Sequence, residues 1–398
     1  MIPLESLEPT VGDPDPLRAI TDALRSFPAD EIVVVTRADD EASRLEQGVV
    51  AAARDRFDVP VTHLAARSAF ARLLLCCVAV ALAAGGVFGF GVARAARPVL
   101  SFRVFANTGH NMDAIVWSGG QFLYVENTAN TVWAAPAAGL PLHQFASMPN
   151  LVEETRCVPS PAAHGFPAGV IFCHSPDDKI YEISASGASV TVFATLPVPS
   201  GTVSDGALTW DDVGRFGYQL VAATGRSGSG QPPGGAVFTI SAAGAVRQVG
   251  TYSGPGADEV AIAPAGFGSA GGSVLLTLDG GADSGALVAM DASGNTRTLV
   301  SPPGGLPPIA AIPAAASTAT RSAQAPPAGL YVTNDVNPYV YFAPASQLAA
   351  WAGDVIVGSE NKAQFWIVAP RAKGFVTIPV RHTLRGGKYS LEGSVYVP

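Results

Sequence analysis

Five acidic residues stand at the start of short apolar segments beyond residue 100: Asp113, Glu154, Asp205, Glu259 and Glu392. Carboxylates that are brought together repel one another, and a hard divalent cation such as Ca²⁺ relieves that repulsion through oxygen ligands. The five acids are therefore candidate metal ligands, and the amide of Asn107 or Asn111 is a further candidate oxygen donor. In the alternative interpretation, each acid caps neighbouring backbone N–H groups and has no chemical role.

The acidic segments alternate with a repeated pattern of strand, polar turn and strand. These hairpins begin at Phe122, Gly169, Tyr218, Ser273, Gly329 and Asp354. The first five hairpins start about 50 residues apart, which suits a four-stranded propeller blade, whereas the last follows after about 25 residues. A further short strand follows several hairpins, as in TVFATL, VRQVGTY, TRTLVSP and FVTIPV.

Three or four strands per unit, repeated about six times, predict a mainly β protein with a β-propeller of about six blades over residues 100–398. In such a ring the acids would share one end of the central channel. The strand SFRVFA at Ser101 is expected to complete the blade that contains the C-terminal strand LEGSVYV. Five or seven blades, or a sandwich of two sheets, are the alternatives. The proline- and alanine-rich stretch 301–329 predicts a loop inserted within a blade.

Two segments, DGALTWDDVGRFGYQLVAATG and DEVAIAPAGFGSAGGSVLLT, carry a family resemblance. Residues 100–398 resemble the six-bladed, calcium-dependent propellers of the gluconolactonase, senescence-marker and NHL type. The resemblance implies that a few acid and amide side chains hold a Ca²⁺ ion at the axis, where it polarises a substrate carbonyl. A lactonase-like or esterase-like hydrolase that uses the axial carboxylates is therefore one functional hypothesis.

Other residue types that commonly act in catalysis form no motif in this sequence. Neither a GxSxG nor an HExxH pattern is present. Four histidines are scattered and are expected at the surface or in turns: His110, His143, His164 and His174. Three tryptophans fall in strands and are expected to pack between blades rather than to form a binding platform: Trp117, Trp210 and Trp366.

Two of the four cysteines, Cys157 and Cys173, fall near the ends of neighbouring predicted strands. A cross-strand disulfide is geometrically possible there. A disulfide would require an oxidising compartment, which would place residues 100–398 outside the cytoplasm. Two small buried thiols are the alternative interpretation.

A membrane-spanning helix is predicted between residues 72 and 94. The stretch LLLCCVAVALAAGGVFGFGVA, at 73–93, has 21 residues without charge, enough to cross a hydrocarbon core of about 30 Å. A buried core helix and a cleaved signal peptide are the alternatives. Gly85 and Gly89 have the GxxxG spacing of helix dimers, so a helix-mediated dimer is a further hypothesis. The sequence thus predicts a single-pass protein of the cell membrane, with the lipid bilayer as a partner.

Residues 1–66 alternate between predicted helices and strands, which indicates a small α/β segment with a parallel sheet. PLRAITDALRSF has the apolar spacing of a helix, and EIVVVT is the continuous apolar run of a buried parallel strand. Residues 10–65 resemble the C-terminal half of universal-stress-like α/β domains. The strand that lines the nucleotide site in that family has no counterpart here, so no nucleotide-binding residues are assigned.

The composition narrows the classes of partner. With 32 acidic against 24 basic residues and a net charge of −8, the chain lacks the generally basic surface of a nucleic-acid-binding protein. The sequence therefore predicts a membrane-anchored extracytoplasmic propeller that recognises a protein, a glycan or a component of the cell envelope. The calcium-dependent hydrolase is the alternative function.

Overall fold

We describe the protein from a computed structural model. It describes residues 16–26, 32–37, 49–50, 52–57, 59–66, 99–127, 129–149, 154–198, 206–225, 234–280, 285–304, 306–314, 325–360, 364–384 and 389–398. The chain forms two compact units, Met1–Arg97 and Pro98–Pro398.

The first unit contains helix α1 (Pro16–Ser26) and the strands β1 (Ile32–Arg37) and β2 (Val61–Ala66). Residues 49–50 and 52–56 are also helical. The two strands pair in parallel, from Ile32 opposite Val61 onward, as the alternating pattern predicts. Apolar side chains of α1 and β1 are buried together in a small core. The resemblance to universal-stress-like domains stays a prediction.

The prediction of a membrane-spanning helix is corrected by the structure, since no helix of the described residues is long and apolar enough to cross a bilayer. Helix α1 has 11 residues, so it measures about 16 Å, roughly half the thickness of the hydrocarbon core. The predicted span at 73–93, with Gly85 and Gly89, lies outside the described residues. We therefore retain neither the membrane tether nor the single-pass location with an extracytoplasmic propeller.

The second unit begins with the strands β3 (Val99–Leu100) and β4 (Arg103–Asn107) and continues with four sheets, each built from four consecutive antiparallel strands. Blade 1 consists of β5 (Met112–Ser118), β6 (Gln121–Glu126), β7 (Thr131–Pro136) and β8 (His143–Ser147). Blade 2 consists of β9 (Arg156–Pro159), β10 (Ile171–Ser175), β11 (Lys179–Ile183) and β12 (Val190–Thr195). Blade 3 consists of β13 (Gly206–Trp210), β14 (Leu220–Thr224), β15 (Gly235–Ile240) and β16 (Val246–Tyr252). Blade 4 consists of β17 (Ala257–Ile262), β18 (Val274–Asp279), β19 (Gly285–Met290) and β20 (Thr296–Val300).

The last two sheets are interleaved along the chain. Their strands are β21 (Ile309–Ala311), β22 (Gly329–Asn334), β23 (Tyr339–Pro344), β24 (Val355–Gly358), β25 (Phe365–Arg371), β26 (Gly374–His382) and β27 (Leu391–Val397). Blade 5 has the order β21-β24-β25-β26, with β3 added in parallel to β26, and blade 6 has the order β27-β22-β23-β4. Short helical turns lie at Gly268–Ala270, at α2 (Ala345–Leu348) and at Ala349–Trp351.

This interleaving explains the short interval before the last predicted hairpin. The chain places the inner strand of blade 5, then builds the middle hairpin of blade 6, and returns to complete blade 5. The proline- and alanine-rich stretch therefore contributes β21 to blade 5 and then leads to β22 of blade 6, whereas the sequence predicts a loop within one blade. The predicted ring closure is confirmed, because the early strand β4 and the C-terminal strand β27 form the outer and inner edges of blade 6.

The apolar core of the propeller is divided among the six interfaces between neighbouring blades. Six clusters of buried side chains each join two adjacent blades, and the cluster of blades 6 and 1 completes the circle. The innermost strands contact one another in the ring order β5, β9, β13, β17, β21 and β27, and β27 contacts β5. The six-bladed propeller is thus confirmed, and the two-sheet sandwich is excluded. Since strands alternate their side chains between two faces, each blade can be buried on both faces.

Candidate functional site

The innermost strands place their first residues at one end of the propeller axis. Arg156 is the first residue of β9, and Glu154 lies in the turn two residues before it. Asp113 stands at the start of β5, and Glu392 at the start of β27. Asp258 and Glu259 are at the start of β17. We call the group formed by Asp113, Glu154, Arg156, Asp258, Glu259 and Glu392 the axial hub.

Arg156 lies at the centre of the axial hub, and its side chain is only 4% exposed. Its Nη1 is 2.7 Å from Oδ1 of Asp113. Its Nη2 is 2.9 Å from Oδ1 of Asp258, 3.0 Å from Oε2 of Glu392 and 3.3 Å from Oε2 of Glu154. Its Nε is 3.5 Å from Oε1 of Glu259. One guanidinium therefore contacts carboxylates from four of the six blades.

One positive charge does not balance five carboxylates in this buried position. Burial raises the pKa of Asp113 from 3.8 to about 8, against the opposing effect of the Arg156 charge. Burial also raises the pKa of Glu259 to about 7. The pKa of Glu392 lies well above its usual range, because of burial first and then the negative charges of its neighbours. The axial hub therefore holds protons near neutral pH, where isolated carboxyl groups would be ionised.

Four of the five predicted site acids are brought together by the structure: Asp113, Glu154, Glu259 and Glu392. Asp205 lies outside the described residues. Asn107 belongs to β4, the outer strand of blade 6, and its Oδ1 accepts a hydrogen bond from the Gly109 amide. The predicted role of Asn107 at the axis is therefore wrong, and the exposed Asn111 precedes β5.

Sequence reasoning missed Arg156 and Asp258. Arg156 follows the predicted ligand Glu154 by two residues and opens β9. Asp258 directly precedes Glu259 in the segment ADEVAIAP. A basic residue close to an acid at a strand start could have indicated a buried ion pair. The carboxylates of other blades that also contact Arg156 cannot be predicted from local spacing.

A divalent cation does not fit the axial hub while Arg156 is in place. Asp113, Glu154 and Glu392 each have one carboxylate oxygen within 4.8 Å of those of the other two, a spacing that could hold a metal ion. The same three residues contact the Arg156 guanidinium at 2.7–3.3 Å. A cation there would lie against a positive charge that is already buried and hydrogen-bonded. The calcium site that the family resemblance implies therefore does not match the axial hub, in which Arg156 lies among the acids.

Beyond the axial hub, the six innermost strands surround a cavity of about 350 Å³, which we call the axial cavity. Arg156 and Glu259 are the first residues of β9 and β17 to line it, so they form its floor. Its walls are largely aliphatic, with the hydroxyls of Thr209 and Ser394. The far ends of the strands contribute polar and aromatic groups: Trp117, Trp210, Asp212 and Tyr396.

The three tryptophans pack between blades, as predicted. Trp366 is buried between blades 4 and 5, as expected. Trp117 and Trp210 also pack at blade interfaces, against Phe122 and Phe166 respectively. Both of them also line the axial cavity.

Cys157 is disulfide-bonded to Cys173 directly beside Arg156. The two cysteines face each other across β9 and β10, at a Cα–Cα distance of 4.1 Å. Both are buried in the cluster between blades 1 and 2. The disulfide therefore joins the inner strand that carries Arg156 to the next strand of its own blade.

The predicted location of His174, at the surface or in a turn, is wrong. It lies within β10 and is completely buried, and its Nδ1 is 3.1 Å from the carbonyl oxygen of Ala207 in blade 3. Burial lowers the pKa of His174 to about 4, so the ring is neutral at pH 7. His143 and His164 are exposed, as predicted.

No protein-family model matches the sequence, and no curated protein matches it. Among solved structures, a chain of a nidogen/laminin complex covers 73% of this chain and 87% of its own length, at 8% identity and a TM-score of 0.47. Regucalcin, a calcium-binding protein from Agrobacterium tumefaciens strain C58, covers 74% and 82%, at 12% identity and a TM-score of 0.42. A protein from Lactobacillus plantarum covers 72% and 88%, at 11% identity and a TM-score of 0.37. At these identities the likeness concerns the fold alone.

Proposed function

We propose that this propeller is a binding module that takes a neutral sugar ring of a glycan into the axial cavity. The observation that carries the proposal is the floor of that cavity. Nε of Arg156 is buried and makes no hydrogen bond to any described residue. A buried donor of this kind favours a ligand oxygen that accepts its hydrogen bond.

The charge of the floor selects against an anionic ligand. Five carboxylates surround Arg156, so the local field is negative even though several of them hold protons. A hydroxyl oxygen can accept from Arg156 and donate to Glu259, whereas a carboxylate ligand can only accept. Neutral hydroxyl groups therefore match both residues of the floor.

The upper part of the axial cavity suits the rest of a sugar ring. Its size falls within the range of small-molecule sites, in which apolar walls carry a few placed polar groups. Trp117, Trp210 and Tyr396 offer aromatic surface for the C–H faces of a ring, and Asp212 offers an acceptor for its hydroxyls. A glycan also agrees with one of the partner classes that the sequence suggests.

Binding of the full-length chain to an array of neutral glycans tests this proposal, followed by calorimetry with the best ligand. We expect Trp117→Ala to weaken binding at least about tenfold, because it removes one side of the aromatic surface. Tyr339→Ala is the matched control, since Tyr339 is 37% exposed and does not line the axial cavity. Absence of binding to every neutral glycan, or equal affinity of the two variants, contradicts the proposal.

The rival function is hydrolysis of lactones or esters with a bound metal. Its support is the spacing of the Asp113, Glu154 and Glu392 oxygens, and Arg156 among them opposes it. Calcium-dependent turnover of a simple lactone by the full-length chain, abolished by Asp113→Asn, would favour the hydrolase over the binding module.

A further inference from the structure

We infer that the guanidinium of Arg156 takes the place of a divalent cation in the axial hub, and that its removal converts Asp113, Glu154 and Glu392 into a Ca²⁺ site. This inference does not rest on the glycan proposal, because it uses the contacts of Nη1 and Nη2 of Arg156, whereas the glycan proposal uses Nε. The axial hub has carboxylate oxygens at the spacing of metal ligands, but a guanidinium lies among them.

Asp113, Glu154 and Glu392 each offer a carboxylate oxygen at a spacing that suits one ion. The three oxygens lie within 4.8 Å of one another. Two oxygens on opposite sides of a Ca²⁺ ion, each at about 2.3–2.6 Å, are separated by about 4.6–5.2 Å. All three oxygens can therefore contact one ion. In the native chain the same region is taken by Arg156, whose Nη1 and Nη2 contact these three residues at 2.7–3.3 Å.

One carboxylate oxygen of the axial hub has no partner among the described residues. Oδ2 of Asp113 is buried and accepts no hydrogen bond there, and Asp113 is only 1% exposed. A buried carboxylate oxygen without a partner is costly unless another group binds it. A cation that replaces the guanidinium can be held by both oxygens of Asp113, since Ca²⁺ accepts bidentate carboxylates.

With Arg156 present, a divalent cation would be repelled by the guanidinium at a distance of a few ångströms. With Arg156 removed, Asp113, Glu154, Asp258, Glu259 and Glu392 lose their shared counter-charge while they remain held by four separate blades. Oxygen ligands from several rigid elements, without strict octahedral order, favour Ca²⁺ over Mg²⁺.

The test compares thermal unfolding and Tb³⁺ luminescence of the full-length wild-type chain and Arg156→Ala, with millimolar CaCl₂ or with chelator. We expect the wild-type melting temperature to be unchanged by Ca²⁺. We expect that of Arg156→Ala to rise by at least about 3 °C with Ca²⁺, with one ion bound per chain. Arg156→Lys is the matched control, because it retains the positive charge and should bind no ion.

One further variant tests whether these carboxylates hold the ion. Adding Asp113→Asn and Glu392→Gln to Arg156→Ala should abolish both Tb³⁺ binding and the Ca²⁺-dependent shift. If Arg156→Ala is unfolded without Ca²⁺, refolding on addition of Ca²⁺ supports the inference, and a chain that stays unfolded overturns it. Binding of one Ca²⁺ by the wild-type chain, or a folded Arg156→Ala that binds none, also overturns it. None of these results changes the glycan binding that we expect of the wild-type chain. The two proposals can therefore be contradicted independently of each other.

Discussion

Glu392 Oε2 lies 3.0 Å from Arg156 Nη2, although the two residues belong to blades 6 and 2, which are not neighbours in the ring. Both side chains are 4% exposed. The contact crosses the axis and ties the C-terminal strand β27 to the inner strand of a distant blade. Because the pKa of Glu392 is raised well above its usual range, the contact is a buried hydrogen bond from a charged donor to a neutral carboxyl group, and it should persist at high ionic strength.

The first prediction concerns the protonation state of Glu392. Burial raises the pKa of Glu392 well above its usual range, so a neutral side chain with an acceptor oxygen resembles its native form. We expect Glu392→Gln to change the free energy of unfolding by less than about 1 kcal/mol, because the amide oxygen still accepts from Arg156. Urea denaturation at pH 7 measures this change.

Glu392→Ala is the comparison for that substitution. It removes the acceptor, leaves a space at the axis and should cost about 2–4 kcal/mol. If Glu392→Gln is as destabilising as Glu392→Ala, the carboxyl group is ionised in the folded protein, and the inferred proton uptake of the axial hub is wrong.

The second prediction is that stability falls as the pH rises from 6.5 to 8. The folded-state pKa is about 8 for Asp113 and about 7 for Glu259, whereas the usual values are 3.8 and 4.5. Across this window the folded state holds protons that the unfolded state has already lost, so raising the pH favours unfolding. The slope from these two groups should be about 2 kcal/mol per pH unit at pH 6.5 and about 1 kcal/mol per pH unit at pH 8.

His174 disturbs this measurement only at the lower end of the window. Its pKa falls from 6.5 to about 4 on folding, so its effect has the opposite sign and fades as the pH rises above 6.5. Asp113→Asn should make the slope between pH 6.5 and 8 shallower without abolishing it, because Glu259 and Glu392 still hold protons. Asp291→Asn, at an exposed turn, should leave the slope unchanged. A stability that is independent of pH in this window would contradict the buried protonated carboxyls.

The third prediction concerns Asp211, which organises the loop after β13. Its Oδ1 accepts hydrogen bonds from the amides of Gly214 and Arg215 at 2.8 and 3.1 Å, and its Oδ2 accepts from Phe216 and Tyr218 at 2.6 and 2.9 Å. Asp211 is 2% exposed. We expect Asp211→Ala to cost about 3 kcal/mol or more, because four backbone N–H groups, including that of the buried Phe216, lose a buried acceptor. Thermal and urea unfolding measure this loss.

Asp291 provides a matched control for Asp211. It also accepts hydrogen bonds from nearby amides, those of Ser293 and Asn295 at 2.8 and 3.0 Å, but it is exposed to solvent. Water can replace its carboxylate, so Asp291→Ala should cost less than about 1 kcal/mol. Equal losses in the free energy of unfolding for the two substitutions would show that burial does not determine how much the hydrogen bonds of Asp211 stabilise the fold.

The blades could be predicted from the sequence because each hairpin is a local pattern of apolar residues and turn residues. The segments that begin at Phe122 and Tyr218 contain the hairpins β6-β7 and β14-β15. The acids at strand starts were predictable for the same reason, since a ring of similar blades repeats each position at the same end of the axis.

The features that the sequence did not predict depend on contacts between distant segments. The hairpin β22-β23 joins blade 6 rather than blade 5, a choice made by pairing with β27 about 60 residues later. Arg156 gains its role only when Asp113, Glu259 and Glu392 arrive from other blades. His174 is buried because it packs beside blade 3, which a scattered histidine in a sequence does not indicate.

The last prediction explains why a small residue follows Glu392 at the axis. A Cβ atom added at Gly393 would lie 2.6 Å from Cα of Ala114 and 2.7 Å from the carbonyl oxygen of Asp113. These are backbone atoms of the neighbouring blade, so Gly393→Ala must push β27 away from β5 and thereby disturb the contact of Glu392 with Arg156. We expect a loss of about 1–3 kcal/mol in the free energy of unfolding.

Gly266→Ala is the matched control, because a Cβ atom at Gly266 meets nothing within 4 Å in the described part of the chain. Its effect on stability should stay within about 0.5 kcal/mol. Since the added methyl group of Gly393→Ala acts on the ring closure between blades 6 and 1, the variant should also increase proteolysis of the C-terminal strand. A Gly393→Ala chain as stable and as protease-resistant as Gly266→Ala would mean that β27 and β5 can separate without cost, contrary to the close packing of the inner strands.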